Sequence, residues 1–187
     1  MSLYYSTKKA NELIAHSFSH LYLITYTGLR FFTVYGPWGR PDMAPIIFAK
    51  SILNGQPINV FNYGRMKRDF TYIDDIIEGV YRCCYKPAYI DKEFNCLNPN
   101  QSTSFAPYRI FNIGNSDPIE LLRFIEILED ELGVKAIKSF LPMQAGDVAS
   151  TAAKTDLLEN WIHFKPSTSI EIGVHRFAKW YLNYYKK

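Results

Sequence analysis

Residues 27–44 read TGLRFFTVYGPWGRPDMA, and the class of fold turns on them. Thr27–Tyr35 is β-branched, aromatic and almost wholly apolar, the composition of a parallel strand buried on both faces. Gly36-Pro37-Trp38-Gly39-Arg40-Pro41 then breaks the chain sharply. In an α/β fold the loop that leaves a buried strand is where ligands bind, so residues 36–41 are expected to border a site.

Helical and strand-like segments alternate on both sides of this stretch. Upstream, residues 3–20 predict a helix, with Leu3, Leu13, Ile14 and Phe18 apolar among good helix formers. Downstream, Pro45–Leu53 predicts a helix closed by Asn54-Gly55, and Ile58–Phe61 a short strand. Asp69–Ile73 follows as another strand, and Asp74 can cap a helix running to about Cys84. Residues 86–107 carry several Pro, Asn and Ser and predict a loop. Arg109–Ile113 predicts a strand, Ile119–Leu132 a helix ended by Gly133, Lys138–Leu141 a strand and Ser169–Tyr185 a last helix. Such alternation is the signature of an α/β protein.

The 187 residues suffice for one sizeable domain, or for parts of two. A net charge of +3 is too small to argue for nucleic acid, and no apolar run approaches the ~18 residues of a membrane helix. Cys83, Cys84 and Cys96 lack metal-ligand spacing, so reduced thiols and a cytoplasmic location are expected. His16 and His20 stand at a zinc-compatible spacing on one helix but have no third ligand nearby in sequence, and no metal is expected. Asp74-Asp75 is better explained by the start of a helix than by paired catalytic carboxylates.

Chemistry concentrates at the start of the chain. Tyr4 and Lys8 are four apart, about one helical turn, so both side chains share a face. An ammonium there stabilises a phenolate, and a phenol so tuned can exchange a proton with a sugar hydroxyl. Tyr5 and Lys9 satisfy the same spacing, so the register is open on spacing alone.

Four segments supply more. Ser2-Leu3-Tyr4 with Thr7-Lys8-Lys9-Ala10-Asn11-Glu12, TGLRFFTVYGPWGRPDMA at 27–44, RDFTYIDD at 68–75 and FKPST at 164–168 closely resemble UDP-glucuronate 4-epimerases. These are NAD-dependent nucleotide-sugar enzymes of the extended short-chain dehydrogenase/reductase superfamily, and the resemblance spans essentially the whole chain. It implies the C-terminal part of that α/β fold: a truncated Rossmann sheet plus a small α/β substrate-binding domain. Residues 1–42 are expected to be the Rossmann remnant and 43–187 mainly the nucleotide-sugar domain, with 74–84 and 109–114 packing back on the Rossmann side.

The resemblance also chooses the register, with Tyr4 as catalytic acid/base and Lys8 as its activator and a ligand of the nicotinamide ribose. It implies Arg68 for the diphosphate, Asn59 and Phe61 for the uracil, and Asp147 for the nucleotide ribose. Thr33, Tyr35 and Pro37 are expected along the sugar and nicotinamide side, with Thr33 the polar sugar contact and Arg40 facing a sugar carboxylate. A core position for Phe61, a turn role for Asp147 and a solvent-facing Arg40 remain the plainer alternatives.

A dinucleotide-binding fold carries a glycine-rich turn after its first strand, yet no three of the ten glycines here give G-x-G-x-x-G. By the resemblance, roughly the first 140–150 residues of a full-length relative have no counterpart here. This predicts that the chain does not retain NAD and is inactive alone, although NAD is the family's cofactor and a UDP-sugar its ligand. The strands at 27–35 and 109–113 would then carry an open apolar edge. Homo-oligomerisation, swapping or a separately encoded N-terminal half could cover it. A non-catalytic nucleotide-sugar-binding or assembly module is the alternative from another class. A 4,6-dehydratase or decarboxylase is the alternative within the enzymes, disfavoured by residues 27–44.

Overall fold

The computed structural model describes residues 3–144 and 146–186. The elements run α1 (Leu3–Tyr22), β1 (Tyr26–Phe31), β2 (Thr33–Tyr35), α2 (Ala44–Leu53), β3 (Ile58–Val60), a 3-10 turn (Phe61–Gly64), β4 (Lys67–Tyr72) and α3 (Ile73–Tyr85). There follow β5 (Tyr108–Ile113), β6 (Pro118–Glu120), α4 (Leu121–Leu132), β7 (Lys138–Phe140), α5 (Asp156–Ile162) and α6 (Ile170–Tyr185). They form two compact units. One holds residues 3–31, 78–113 and 154–165; the other holds 32–77, 114–153 and 166–186.

The second unit contains a three-stranded sheet in the order β2-β4-β6, with β2 parallel and β6 antiparallel to β4. Helix α4 buries Leu121, Phe124, Ile125, Leu128 and Leu132, a stripe at helical spacing, and ends on Gly133 in the left-handed conformation. Phe124 stacks on Phe70 of β4, ring centroids 4.5 Å apart. Helix α6 starts at Ser169, whose hydroxyl accepts from the Ile172 amide, and adds Val174, Phe177 and Tyr181 to the same core. Gly173 sits where Tyr35 passes: a Cβ there would lie 1.9 Å from the Tyr35 hydroxyl.

The polar centre of this unit is Asp69, fully buried on β4. Its carboxylate accepts from the backbone amides of Asn115 (3.0 Å), Ser116 (3.0 Å) and Ala153 (2.8 Å). Residues 149–151 run alongside, with the Lys67 amide donating to the Ala149 carbonyl and the Thr151 amide to the Lys67 carbonyl. The segment from 147 to 153 is therefore fastened to β4 although 79 residues separate Arg68 from Asp147.

In the first unit β1 and β5 pair in parallel, from Tyr26 opposite Tyr108 to Phe31 opposite Ile113. Tyr26 and Tyr108 stack, and Ala15 of α1 packs on the cluster of Ala106, Tyr108 and Ile110. Helix α5 brings Trp161 beneath β5, where its ring meets Phe111 and the Arg109 guanidinium, and its Nε1 donates to the Lys86 carbonyl. The three cysteines are free thiols, and burial pushes Cys83 up to about 11.

Two departures from the sequence reading have clear causes. The single strand expected over Thr27–Tyr35 divides at Phe32, because Tyr26–Phe31 pairs with β5 while Thr33–Tyr35 pairs with β4. The open apolar edge anticipated for the first of these strands is present: among the described residues β5 is the only sheet neighbour of β1, and Phe31 stays 54% exposed. The structure also adds β6, a three-residue edge strand that opens on proline, and α5, only seven residues long. Both are too short for hydrophobic periodicity to register.

Replacing Gly173 by alanine should destabilise the protein despite alanine's helix propensity, since Tyr35 is 3% exposed and has no room to retreat. Tyr35→Phe should rescue it only in part, because the ring carbon bearing the hydroxyl would still lie 2.7 Å from the new Cβ. Asp69→Asn should cost on the order of 3 kcal/mol, by losing charge-assisted bonds and turning an amide toward a backbone N–H. Urea unfolding of each variant measures both effects.

Candidate functional site

Tyr4, Lys8, Glu12 and His16 form one inclined stripe along α1, each a turn beyond the last. The lower part is anchored. Glu12 accepts from Arg30 of β1 through both carboxylate oxygens, at 2.5 and 2.7 Å, and its backbone carbonyl accepts from the Tyr108 hydroxyl. His16 bonds Ser104 at 2.7 Å, and its ring meets Tyr108 edge-on. The upper part is open: Tyr4 is 61% exposed, and the Lys8 ammonium lies over its ring, 5.4 Å from the centroid. Lys9, the alternative lysine, is engaged by Glu12 at 2.8 Å.

The charge at Glu12 is well fixed. Hydrogen bonding by Arg30, assisted by Lys9 and opposed by partial burial, lowers its carboxyl to about 2. The pair thus ties α1 to β1 electrostatically, where Leu13, Ile14 and Phe18 of the same helix remain exposed.

The second unit holds the remaining candidates. Arg68, largely buried on β4, donates to the Asp147 carboxylate at 2.8 Å and to the Lys67 carbonyl at 3.0 Å. A guanidinium has five N–H donors, so these two bonds leave three for another acceptor. Asn59 is exposed on β3 opposite Ser139, and Phe61 lies half-buried in the adjoining 3-10 turn, packed against the core. Asn62 and Tyr63 take left-handed backbone angles in that turn. Thr33 is half-buried on β2 opposite Phe70.

Tyr35, two residues on, is in the core, its ring set edge-on to Phe70, Tyr72 and Phe124. Burial raises its phenol well above the usual tyrosine range. Pro37 is half-buried at the start of the loop. Trp38 follows with a left-handed φ of 61° and 73% exposure, held against Trp180 and Tyr184. Arg40 lies at the loop's exposed end, forked onto Asp42.

Sequence reasoning did not find Asp42, Arg30 or the buried carboxylate of Asp69. A usable signal existed for the first: an acidic residue two beyond an arginine, across a proline, is placed by turn geometry. The other two arise from pairing between distant segments. His16 and His20 both face Phe105, and among the described residues no three His, Cys, Asp or Glu side chains gather as metal ligands. No described helix is long and apolar enough to cross a membrane.

Residues 1–114 match the NAD dependent epimerase/dehydratase family. Over 187 residues the chain is 54% identical to Protein CapI of Staphylococcus aureus, covering 100% of this chain and 56% of CapI. It is 49% identical to a probable UDP-glucuronate 4-epimerase of Rhizobium meliloti, covering 100% of this chain and 55% of the relative. Among solved structures it resembles a tyrosine-to-phenylalanine mutant of UDP-glucuronic acid 4-epimerase from Bacillus cereus, in complex with UDP-4-deoxy-4-fluoro-glucuronic acid and NAD. There the TM-score is 0.80 at 30% identity, covering 96% of this chain and 52% of that one. The chain belongs to the NAD-dependent epimerase/dehydratase family and corresponds to the C-terminal part of its extended short-chain dehydrogenase/reductase fold. It spans about half the length of the curated relatives it matches.

Because the Glu12 carboxyl is depressed in the folded state, the stability it contributes is present above its ordinary value of 4.5 and is lost as pH falls through about 2. Glu12→Gln should loosen the docking of α1 by about 1–2 kcal/mol near neutrality, discounted for the half-exposed Arg30. Helical circular dichroism of the two proteins, compared across an acid titration, should differ above that window and converge at its lower end.

Proposed function

We propose that this chain is the nucleotide-sugar-holding part of a UDP-glucuronate 4-epimerase-like enzyme, acting at C4 of the sugar only when a coenzyme-binding N-terminal half is supplied. Arg68 grips the diphosphate, Asp147 contacts the nucleotide ribose, and Asn59 and Phe61 meet the uracil. Thr33 contacts the sugar and Arg40 its carboxylate. Tyr4 exchanges the proton of the C4 hydroxyl, and Lys8 favours its phenolate. A homo-oligomer is a further way to cover the exposed face of α1.

The observation that carries this reading is the Arg68–Asp147 pair. A largely buried arginine keeps three donors in reserve beside a carboxylate delivered from a distant segment, the equipment for a phosphate next to a ribose hydroxyl. The Rhizobium meliloti relative is named a probable UDP-glucuronate 4-epimerase and the Bacillus cereus structure a UDP-glucuronic acid 4-epimerase, which supports the reading.

The fit to NAD is partial. Lys8 suits the nicotinamide ribose and Pro37 the nicotinamide side, while Tyr35 supports that side from inside the core. These 187 residues hold no G-x-G-x-x-G turn to grip the pyrophosphate. NAD, when bound to a complete enzyme of this kind, supplies the hydride acceptor and donor; this chain's residues supply the proton transfer and the hold on the sugar nucleotide.

The purified chain should carry no stoichiometric NAD and should not epimerise UDP-glucuronate alone. Calorimetry should register UDP binding that Arg68→Ala weakens roughly 10- to 100-fold, while Tyr4→Phe leaves it within twofold. Co-expression with the N-terminal half of a relative should restore turnover, and Tyr4→Phe should abolish it. Retained NAD, or UDP affinity indifferent to Arg68, would remove the basis of the assignment.

A further inference from the structure

The loop after β2 ends in a turn. The Met43 amide donates to the Arg40 carbonyl at 3.1 Å, closing four residues with Pro41 at the second position and Asp42 at the third. Proline fixes the backbone there, and the turn sets the Asp42 carboxylate against the Arg40 guanidinium. Nε donates to Oδ1 at 3.0 Å and Nη2 to Oδ2, two parallel bonds in a planar fork. Both side chains are mostly exposed, at 71% and 62%, so the pair is not there to stabilise a core. Arg40 also holds the Asp42 carboxyl below its usual range, so it stays charged.

The geometry points to Asp42 as an internal stand-in for a ligand carboxylate: it occupies the Arg40 fork until a sugar acid displaces it, and so sets how strongly the site selects uronic-acid nucleotides over neutral ones. This rests on the reading of Arg40 as the contact for the sugar carboxylate. A neutral hexose nucleotide offers nothing to exchange for Asp42, and the fork stays neutralised. A uronic-acid nucleotide exchanges one carboxylate for another of the same shape. Selection then depends on the difference between two like interactions, which Asp42 keeps small. Removing its charge leaves the sugar carboxylate without that competitor, while the proline turn still presents the arginine.

The test is calorimetric binding of UDP, UDP-glucose and UDP-glucuronate to the chain, to Asp42→Asn and to Arg40→Ala. Asp42→Asn should tighten UDP-glucuronate about five- to tenfold, equivalent to about 1–1.4 kcal/mol, and leave UDP and UDP-glucose within twofold. Arg40→Ala should bring UDP-glucuronate down to the affinity of UDP-glucose, and adding Asp42→Asn to it should change nothing further. Asp42→Ser, which keeps the turn but not the charge, should behave as Asp42→Asn does. If UDP binds but the glucuronate-to-glucose ratio does not move, or falls, in both Asp42 variants, the stand-in role is overturned while the nucleotide-sugar reading survives. If UDP itself does not bind, that reading falls and the role of Asp42 with it.

Discussion

A buried carboxylate answered by backbone amides governs the second unit. Taking the Asp69 side chain out of water costs several kcal/mol, and three charge-assisted bonds at ~1.5–3 kcal/mol each outweigh that only if all three are made. The requirement acts as a constraint. Residues 115–116 and residue 153 must reach β4 together, and Gly114 must lack a side chain, since a Cβ would meet the Ala153 methyl at 2.6 Å and the Asp69 carboxylate at 3.0 Å. Once those contacts form, the strand-like pairing of 149–151 with Lys67 follows, and Asp147 is delivered to Arg68. The candidate phosphate contact is thus a consequence of the core, and its geometry is as rigid as the core that sets it.

The Tyr4–Lys8 pair rests on a different balance. Only Ser19 of α1 is fully buried, so the helix is not held by an apolar stripe of the kind that secures α4. Beyond the packing of Ala15, what holds it among the described residues is polar: the Glu12–Arg30 fork, the Tyr108 hydroxyl on the Glu12 carbonyl, and His16 on Ser104. These lie below the pair, leaving two helical turns projecting with Leu3 at 81% exposure. A phenol and an ammonium so placed have the right spacing and no enclosure. Activating a phenol needs a desolvated neighbourhood as well as a nearby cation, and that neighbourhood is not provided by the described residues around Tyr4.

This difference explains what could be read from the sequence. The helices with one strong apolar face, α4 and α6, stood out because burial imposes a 3.6-residue period, and glycine or serine marked their ends. The division at Phe32 could not be seen, because the two halves of TGLRFFTVY are alike in composition and differ only in which distant strand they pair with. The candidate site behaves the same way. Tyr4 and Lys8 are local, so spacing revealed them; the structure sets the Lys8 ammonium over the Tyr4 ring and engages Lys9 with Glu12. The meeting of Arg68 with Asp147 spans 79 residues and needed Asp69 to bring it about. Tyr35 shows the converse: its place next to a ligand loop made it look like a contact, whereas strand alternation carries it into the core.

At first sight the ion pair at Arg68 is an obstacle to anion binding, since its charge is partly neutralised. Magnitudes argue otherwise. An arginine left unpaired at this burial would itself be costly, so a carboxylate neighbour is what permits it to stand ready on a rigid strand. Asp147 and the Lys67 carbonyl hold two of its five N–H groups, which fixes the plane of the guanidinium and removes rotamer freedom worth ~2 kcal/mol before any ligand arrives. An incoming diphosphate carries more charge than the carboxylate and can use the remaining donors without evicting it. Asp147 itself can accept from a ribose hydroxyl through the oxygen that Arg68 does not occupy. Pre-orientation of this kind favours affinity for an anion through entropy already spent in folding, so an ion pair at Arg68 is compatible with the proposed phosphate contact.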